Sequence, residues 1–88
     1  MCGFCGVGAV NDQQIADALG DVADEARRAC ARFGDFMSGH ELASVLREEF
    51  EEFWETVRRD EADADELIQL AAVAVRGAAQ IRAGGLNR

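Results

Sequence analysis

The residues best suited to chemistry lie in one acidic run, residues 47–55. The run holds five glutamates in nine residues and is interrupted by Phe50, Phe53 and Trp54. A purely solvated acidic segment has no use for large aromatics, and an ordinary amphipathic helix keeps its acids off the apolar face. Helical spacing here places at least one glutamate within the apolar stripe. Because a buried carboxylate needs a cation or a proton, the run is a candidate metal site.

The helical periodicity divides these acids into two groups. At about 100° per residue, with Leu42 at zero, the apolar stripe extends from about 300° to about 60°. Glu49 falls within it at about 340°, and Glu52 falls at its edge at about 280°. The other three acids point away, and Glu48 is near enough to the edge to join the first two. We therefore predict that Glu49 and Glu52, on adjacent turns, face inward and share one ion.

A second polar feature lies on a later helix. Residues 67–75 are apolar on almost every side, which is typical of a helix covered by its own chain or by a partner. Its polar exceptions fall on one side, and they are Glu66, Gln69, Arg76 and Gln80. If this strip faces Glu49 and Glu52, four oxygen-bearing side chains converge. Such a set suits a hard divalent cation, and Mg²⁺ would keep several waters for a substrate to displace.

Start and stop signals predict three helices and give no strand signal of any strength. Asn11 or Asp12 caps the first helix, and Gly34 is a plausible end for it. Ser38 and Glu41 have the spacing of a capping box at the start of the second helix. We predict helices over residues 11–33, 38–59 and 62–83.

These helices form a single all-α domain over residues 11–83. We expect an irregular Gly- and Cys-rich arm over residues 1–10 and a flexible tail over residues 84–88. A chain of 88 residues buries only a modest fraction of its surface alone, so association with a second copy is expected. The predicted fold class is a three-helix chain with two long antiparallel helices, assembling into a helical-bundle homo-oligomer.

The net charge of −8 narrows the range of partners. It argues against general nucleic-acid binding and against anionic lipid, although a small nucleotide can still bind carboxylates through a bridging divalent cation. All nine basic residues are arginines, whose planar fork suits phosphate and carboxylate. No apolar stretch is long enough to span a bilayer, and the first residues lack a signal-peptide pattern. We therefore expect no membrane partner and a cytoplasmic location.

The cysteine pair near the start of the chain has several interpretations. Cys2 and Cys5 have the two-residue spacing of half a zinc site, which needs four ligands in all. Cys30 and His40, or the same pair from a second chain, could complete the set, but no spacing points to either. A redox motif would need a strand before it and a helix directly after it. An inert arm is the favoured interpretation.

The acidic residues resemble those of the MazG-like, all-α nucleoside triphosphate pyrophosphohydrolases. Residues 48–52 match the Glu-Glu-x-x-Glu pattern of that family. Residues 66–69 match its second pattern, Glu-x-x-Asp, except that Gln69 replaces the aspartate. The wider stretch from His40 to Arg76 is similar to small phage-type members, so the resemblance covers about half of the chain.

The resemblance implies a homodimer or homotetramer that binds Mg²⁺, or alternatively Mn²⁺, and cleaves a nucleoside triphosphate between its α and β phosphates. The products are the nucleoside monophosphate and pyrophosphate. By position, the metal ligands would be Glu49, Glu52, Glu66 and Gln69. Glu48 and Glu49 would form the catalytic centre, with Glu48 as a ligand or as the general base that takes a proton from the attacking water.

Two further residues are candidates for binding the nucleotide. Arg76 could reach the phosphates from the polar strip. Trp54 could stack on the base, although a place in the core or at an interface is the commoner fate of such a residue. Gln69 brings no negative charge and cannot act as a base. The alternatives are therefore a non-catalytic oligomer that binds or sequesters a nucleotide, and a plain helical oligomer with incidental acids.

Overall fold

The computed structural model describes residues 9–86, and the regular secondary structure of this part of the chain is all helix, with no strand. The helices are α1 (Asp12–Phe33), α2 (Gly39–Arg58) and α3 (Ala64–Arg82). The prediction of an all-α chain with three helices is confirmed. None of the described helices has the length and apolar character needed to cross a membrane. Residues 1–8 of the predicted arm, with Cys2 and Cys5, and residues 87–88 of the predicted tail lie outside the described residues.

Helix α1 begins and ends at the residues that the sequence indicates. The Asn11 side chain accepts a hydrogen bond from the Gln14 backbone N–H at 2.8 Å, and Gln14 Oε1 accepts one from Asn11 N at 3.0 Å. This reciprocal pair is a complete capping box. Gly34 follows the helix with φ +74°, a conformation that favours glycine, and its N–H donates to Cys30 O.

The capping box predicted for α2 is only half formed. Ser38 Oγ accepts from the Glu41 N–H at 3.1 Å, as expected of the cap. The Glu41 carboxylate, however, accepts from Met37 N at 2.6 Å and not from Ser38 N. Glu41 therefore fastens the loop before the helix, because its side chain reaches one residue further back than the motif implies.

A buried threonine organises the turn between α2 and α3. Thr56 Oγ1 donates to Phe53 O at 2.7 Å and accepts from Asp63 N at 3.2 Å. Asp63 in turn caps α3, since its side chain accepts from Asp65 N at 2.8 Å. The third helix therefore begins just after Asp63, later than the predicted start at Ala62.

Helix α3 is the central element, because α1 and α2 each pack on it and not on each other. Val22 and Ala26 of α1 meet Ala72 of α3 in the main core cluster. Ile15 and Phe33, near the two ends of α1, remain 51% and 68% exposed. The arrangement leaves a cleft between α1 and α2 whose floor is α3.

The contact between α2 and α3 depends on Gly77. A Cβ built at Gly77 would lie 2.6 Å from Leu42 Cδ2 and 2.8 Å from Leu42 Cδ1. We expect Gly77→Val to lower the free energy of unfolding by about 1–3 kcal/mol, because overpacking displaces Leu42 and separates the helices. Gly20→Val is the matched control in urea denaturation, since Gly20 has nothing within 4 Å of its Cβ position. Equal losses in the two variants would show that the close approach is unimportant.

Candidate metal centre

Three glutamates from two helices converge at one place. Glu49 and Glu52 lie on adjacent turns of α2, and Glu66 lies in the first turn of α3. One carboxylate oxygen from each lies within 4.8 Å of the other two. The turn organised by Thr56 places Glu66 beside the acidic helix. The structure thus brings together three of the four residues predicted as metal ligands.

The fourth predicted ligand and the predicted general base lie next to this cluster. Glu48, Glu49 and Gln69 line one pocket with a volume of about 370 Å³, which occupies the cleft between α1 and α2. Glu49 belongs both to the pocket and to the cluster. Glu48 is exposed, whereas Glu49 and Gln69 are half-buried. The cluster therefore adjoins a cavity large enough for a small-molecule ligand.

Electrostatics within the cluster favour the uptake of positive charge. Glu49 Oε1 is buried and has no hydrogen-bond partner in the part of the chain that the structure describes. Burial raises the pKa of Glu49 above its ordinary value, and the carboxylates of Glu52, Glu66 and Glu48 raise it further. Burial, followed by the charge of Glu52, also raises the pKa of Glu66. A cation placed among these oxygens would reduce the repulsion between the carboxylates and would give Glu49 Oε1 a partner.

The donor set fits a small hard cation. Mg²⁺ binds oxygen ligands at about 2.0–2.1 Å in an octahedron, so opposite ligand atoms lie about 4.2 Å apart. The oxygens of Glu49, Glu52 and Glu66, all within 4.8 Å of one another, need at most small side-chain rotations to meet this geometry. The three carboxylates include no nitrogen or sulfur ligand, and such oxygen ligands suit hard cations such as Mg²⁺, Ca²⁺ and Mn²⁺ better than softer metals.

Arg76 is held at the wall of the same pocket. Its Nη2 donates to Gly34 O at 3.1 Å, and its guanidinium lies 4.5 Å from the centre of the Phe36 ring. Its Nε is buried and has no partner among residues 9–86. The position of Arg76 is thus fixed by the loop between α1 and α2, and its buried Nε–H remains without a partner in the described part of the chain.

The pocket carries much more negative than positive charge. Its acidic side chains are Glu25, Asp35, Glu41, Glu48 and Glu49, and Arg76 is the single basic side chain among the described residues that line it. This surface would therefore repel an anion that arrives without accompanying cations.

Trp54 lies away from this pocket. It is 48% exposed on α2 and borders a shallow acidic depression instead, which also includes Glu48, Glu51, Glu52 and Glu55. A single chain therefore does not place Trp54 and Arg76, the two predicted nucleotide-binding residues, around one cavity. Glu48 borders both this depression and the pocket that contains Arg76.

The proposed zinc ligands near the middle of the chain join no cluster. Within residues 9–86, the three glutamates are the one group of acidic, histidine or cysteine side chains close enough to hold an ion. Cys30 and His40 are both exposed and lie outside this group. The other half of the possible zinc site, Cys2 and Cys5, is outside the described residues.

The fold and the site define a class of molecule, a three-helix all-α protein with a carboxylate cluster shared between two helices. A scan against known protein-family models found no match, and searches of curated proteins and of solved structures found none either. The MazG-like resemblance therefore rests on the pattern of the residues between His40 and Arg76 alone.

The raised pKa values predict how the metal-free protein responds to pH. In the folded state the pKa values of Glu49 and Glu66 lie above their ordinary value of 4.5, so both groups bind protons more tightly than in the unfolded chain. Each group therefore stabilises the fold below that value, and this contribution is lost as the pH rises through its raised pKa. In chelator, we expect urea denaturation to show stability falling above pH 4.5, and falling less steeply in Glu49→Gln. If stability fell equally steeply with pH in Glu49→Gln and in the parent, Glu49 would not have a raised pKa in the folded protein.

Proposed function

We propose that the chain is a nucleoside triphosphate pyrophosphohydrolase of the MazG-like kind that uses Mg²⁺ or, alternatively, Mn²⁺. The observation that supports this most strongly is the convergence of Glu49, Glu52 and Glu66, together with the unpartnered buried oxygen of Glu49. These three residues would bind the cation, with Gln69 contributing its amide oxygen. When bound, the cation would neutralise phosphate charge and lower the pKa of a coordinated water.

The protein's own residues then have separate tasks. Glu48, exposed at the rim of the pocket, would accept the proton of the water that attacks the α phosphorus. Arg76, at the wall of the pocket, would donate from its guanidinium to a phosphate oxygen, a charge-assisted bond. The half-buried Glu49 would hold its oxygen in a fixed direction, because α2 and α3 pack on either side of the cluster. Together these contacts would align the α–β anhydride bond for cleavage.

A product assay tests this proposal directly. The protein is incubated with a panel of ribo- and deoxyribonucleoside triphosphates in Mg²⁺ or Mn²⁺, and the products are separated by ion-exchange chromatography. We expect equal amounts of monophosphate and pyrophosphate from at least one substrate, and none in chelator. Release of inorganic phosphate and the nucleoside diphosphate instead would identify a different reaction, cleavage between the β and γ phosphates.

The alternative proposal is a non-catalytic protein that binds or sequesters a nucleotide on the same scaffold. Gln69 favours it, because an amide supplies neither the charge nor the basicity of the aspartate in the family pattern. Under this alternative, calorimetry would detect binding of a nucleotide with Mg²⁺ while the product assay stays negative. Binding and turnover together would exclude it.

We propose that α2 and α3 run antiparallel and that the chain assembles into a homodimer or tetramer. Leu42 near the start of α2 meets Gly77 late in α3, whereas Glu52 late in α2 meets Glu66 at the start of α3. Within the described residues few apolar side chains are buried, and large ones remain exposed on every helix. A second copy would cover part of this surface.

Trp54 provides a direct test of self-association. It is the sole tryptophan and, with Phe50, forms an exposed aromatic pair one turn apart on α2. We propose that this pair lies at the interface between copies, so dilution should shift its fluorescence to longer wavelength as the oligomer dissociates. Trp54→Ala should sediment as a monomer, while Val75→Ala, at an exposed site on α3, serves as control. A variant that keeps its assembly but binds nucleotide weakly would instead support base stacking.

A further inference from the structure

The loop between α1 and α2 forms one wall of the pocket beside the carboxylate cluster. Gly34, Asp35 and Phe36 all line this wall. Phe36 is buried at 8% exposure, and its ring lies beneath the Arg76 guanidinium. Gly34 O accepts a hydrogen bond from Arg76. The direction of Arg76 therefore depends on where this loop is held.

Gln80 holds the loop from α3. Its Nε2 donates to Phe36 O at 2.8 Å, and its Oε1 accepts from Phe36 N at 2.9 Å. Both bonds are part-buried. Two simultaneous bonds to one residue fix its orientation as well as its position, whereas a single bond would act as a hinge. Gln80 lies one turn after Arg76 on the same face of α3, so one helix carries both the arginine and the support of its platform.

We propose that Gln80 is a positioning residue that acts on Arg76 through the Gly34–Phe36 loop. This inference rests on the proposed function, in which Arg76 contacts phosphate groups. Without Gln80, Phe36 and Gly34 are free to move, and Arg76 regains rotamers that carry its guanidinium away from the pocket wall. Part of the energy of phosphate binding is then used to restore its direction.

A double-mutant cycle separates this role from simple stabilisation. The variants are Gln80→Met, Arg76→Met and their combination, and the probe is inorganic tripolyphosphate with Mg²⁺, followed by calorimetry. We expect Gln80→Met to weaken binding about five- to tenfold when Arg76 is present. In the Arg76→Met background the same change should cost less than about twofold. Binding of Mg²⁺ alone should stay unchanged. Equal losses in both backgrounds would overturn the proposal.

A second readout requires no ligand, so failure of this inference and failure of the proposed function can be told apart. The Nε–H signal of Arg76 is observed by NMR and assigned from its loss in Arg76→Met. In Gln80→Met we expect it to move towards the shift of a free arginine, whereas Gln13→Met, at an exposed site on α1, leaves it in place. An Arg76 signal unmoved by Gln80→Met would overturn the positioning role. Absence of tripolyphosphate binding by the parent, with the signal still moving, would sink the proposed function alone.

A milder variant guards against loss of folding. Gln80→Glu keeps an oxygen that accepts from Phe36 N but has no N–H to donate to Phe36 O. We expect an intermediate loss of tripolyphosphate affinity and an intermediate shift of the Arg76 signal. A loss as large as that of Gln80→Met, with the Arg76 signal unmoved, would again contradict the proposal.

Discussion

Replacing Glu49 with glutamine is expected to reduce Mg²⁺ affinity and nucleotide turnover by at least about 100-fold. Mutating residues that only hydrogen-bond to a metal's ligands already lowers metal affinity or activity about 10–100-fold. Glu49 lies within the cluster itself, so its loss should cost more. The substitution preserves the shape of the side chain but removes its charge. Calorimetric titration with Mg²⁺ measures the first effect, and the pyrophosphate assay measures the second.

The matched control for this prediction is Glu51→Gln. Glu51 lies on the same helix and is exposed, outside both the cluster and the pocket that contains Arg76. It removes the same amount of charge, so it should change Mg²⁺ affinity by less than about twofold, because charges in solvent are strongly screened. Equal losses in Glu49→Gln and Glu51→Gln would mean that cation binding is diffuse and not located at the cluster.

Replacing Gln69 with aspartate should have the second-largest effect, and here the direction is a gain. The change adds a carboxylate to the pocket that Glu48 and Glu49 line and completes the Glu-x-x-Asp pattern that the MazG-like enzymes have. Even in water, a unit charge 4 Å from a divalent ion contributes about 2 kcal/mol, so we expect Mg²⁺ affinity to rise at least about tenfold. Turnover should rise as well, because the added group can orient or deprotonate the water.

Gln69→Asn isolates the contribution of charge. Asparagine has the shape of aspartate but stays neutral, so the difference between the two variants reports the carboxylate alone. Without metal, Gln69→Asp should be the less stable of the two, because it adds one more negative charge to the pocket that Glu48 and Glu49 line. An aspartate variant that binds Mg²⁺ no better than the asparagine variant would show that this position faces away from the ion.

The convergence of the acids could be predicted because helical periodicity is a local property. The wheel places Glu49 within the apolar stripe of α2, and α3 is the helix that covers that stripe, as Leu42 against Gly77 shows. A carboxylate in the stripe therefore faces the polar strip of α3, where Glu66 lies. Asn11 and Ser38 were equally predictable, since a cap depends only on the residues that follow it.

The walls of the pocket could not be predicted in the same way. The bonds between Gln80 and Phe36 join residues 44 positions apart, and no periodicity relates them. The helical periodicity gives the direction of each side chain around one helix axis but not which helix lies next to it. For the same reason the exposure of Ile15 and Phe33 could not be predicted, because it depends on how far α3 extends along α1.

The most direct test is a crystal structure of the protein soaked with Mn²⁺, using anomalous scattering to locate the ion. We predict one strong anomalous peak, from an ion bonded to oxygens of Glu49, Glu52 and Glu66, with Glu49 Oε1 among its ligands. A map with no peak at this position, at Mn²⁺ concentrations that saturate calorimetric binding, would contradict the metal centre and the enzymatic proposal built on it.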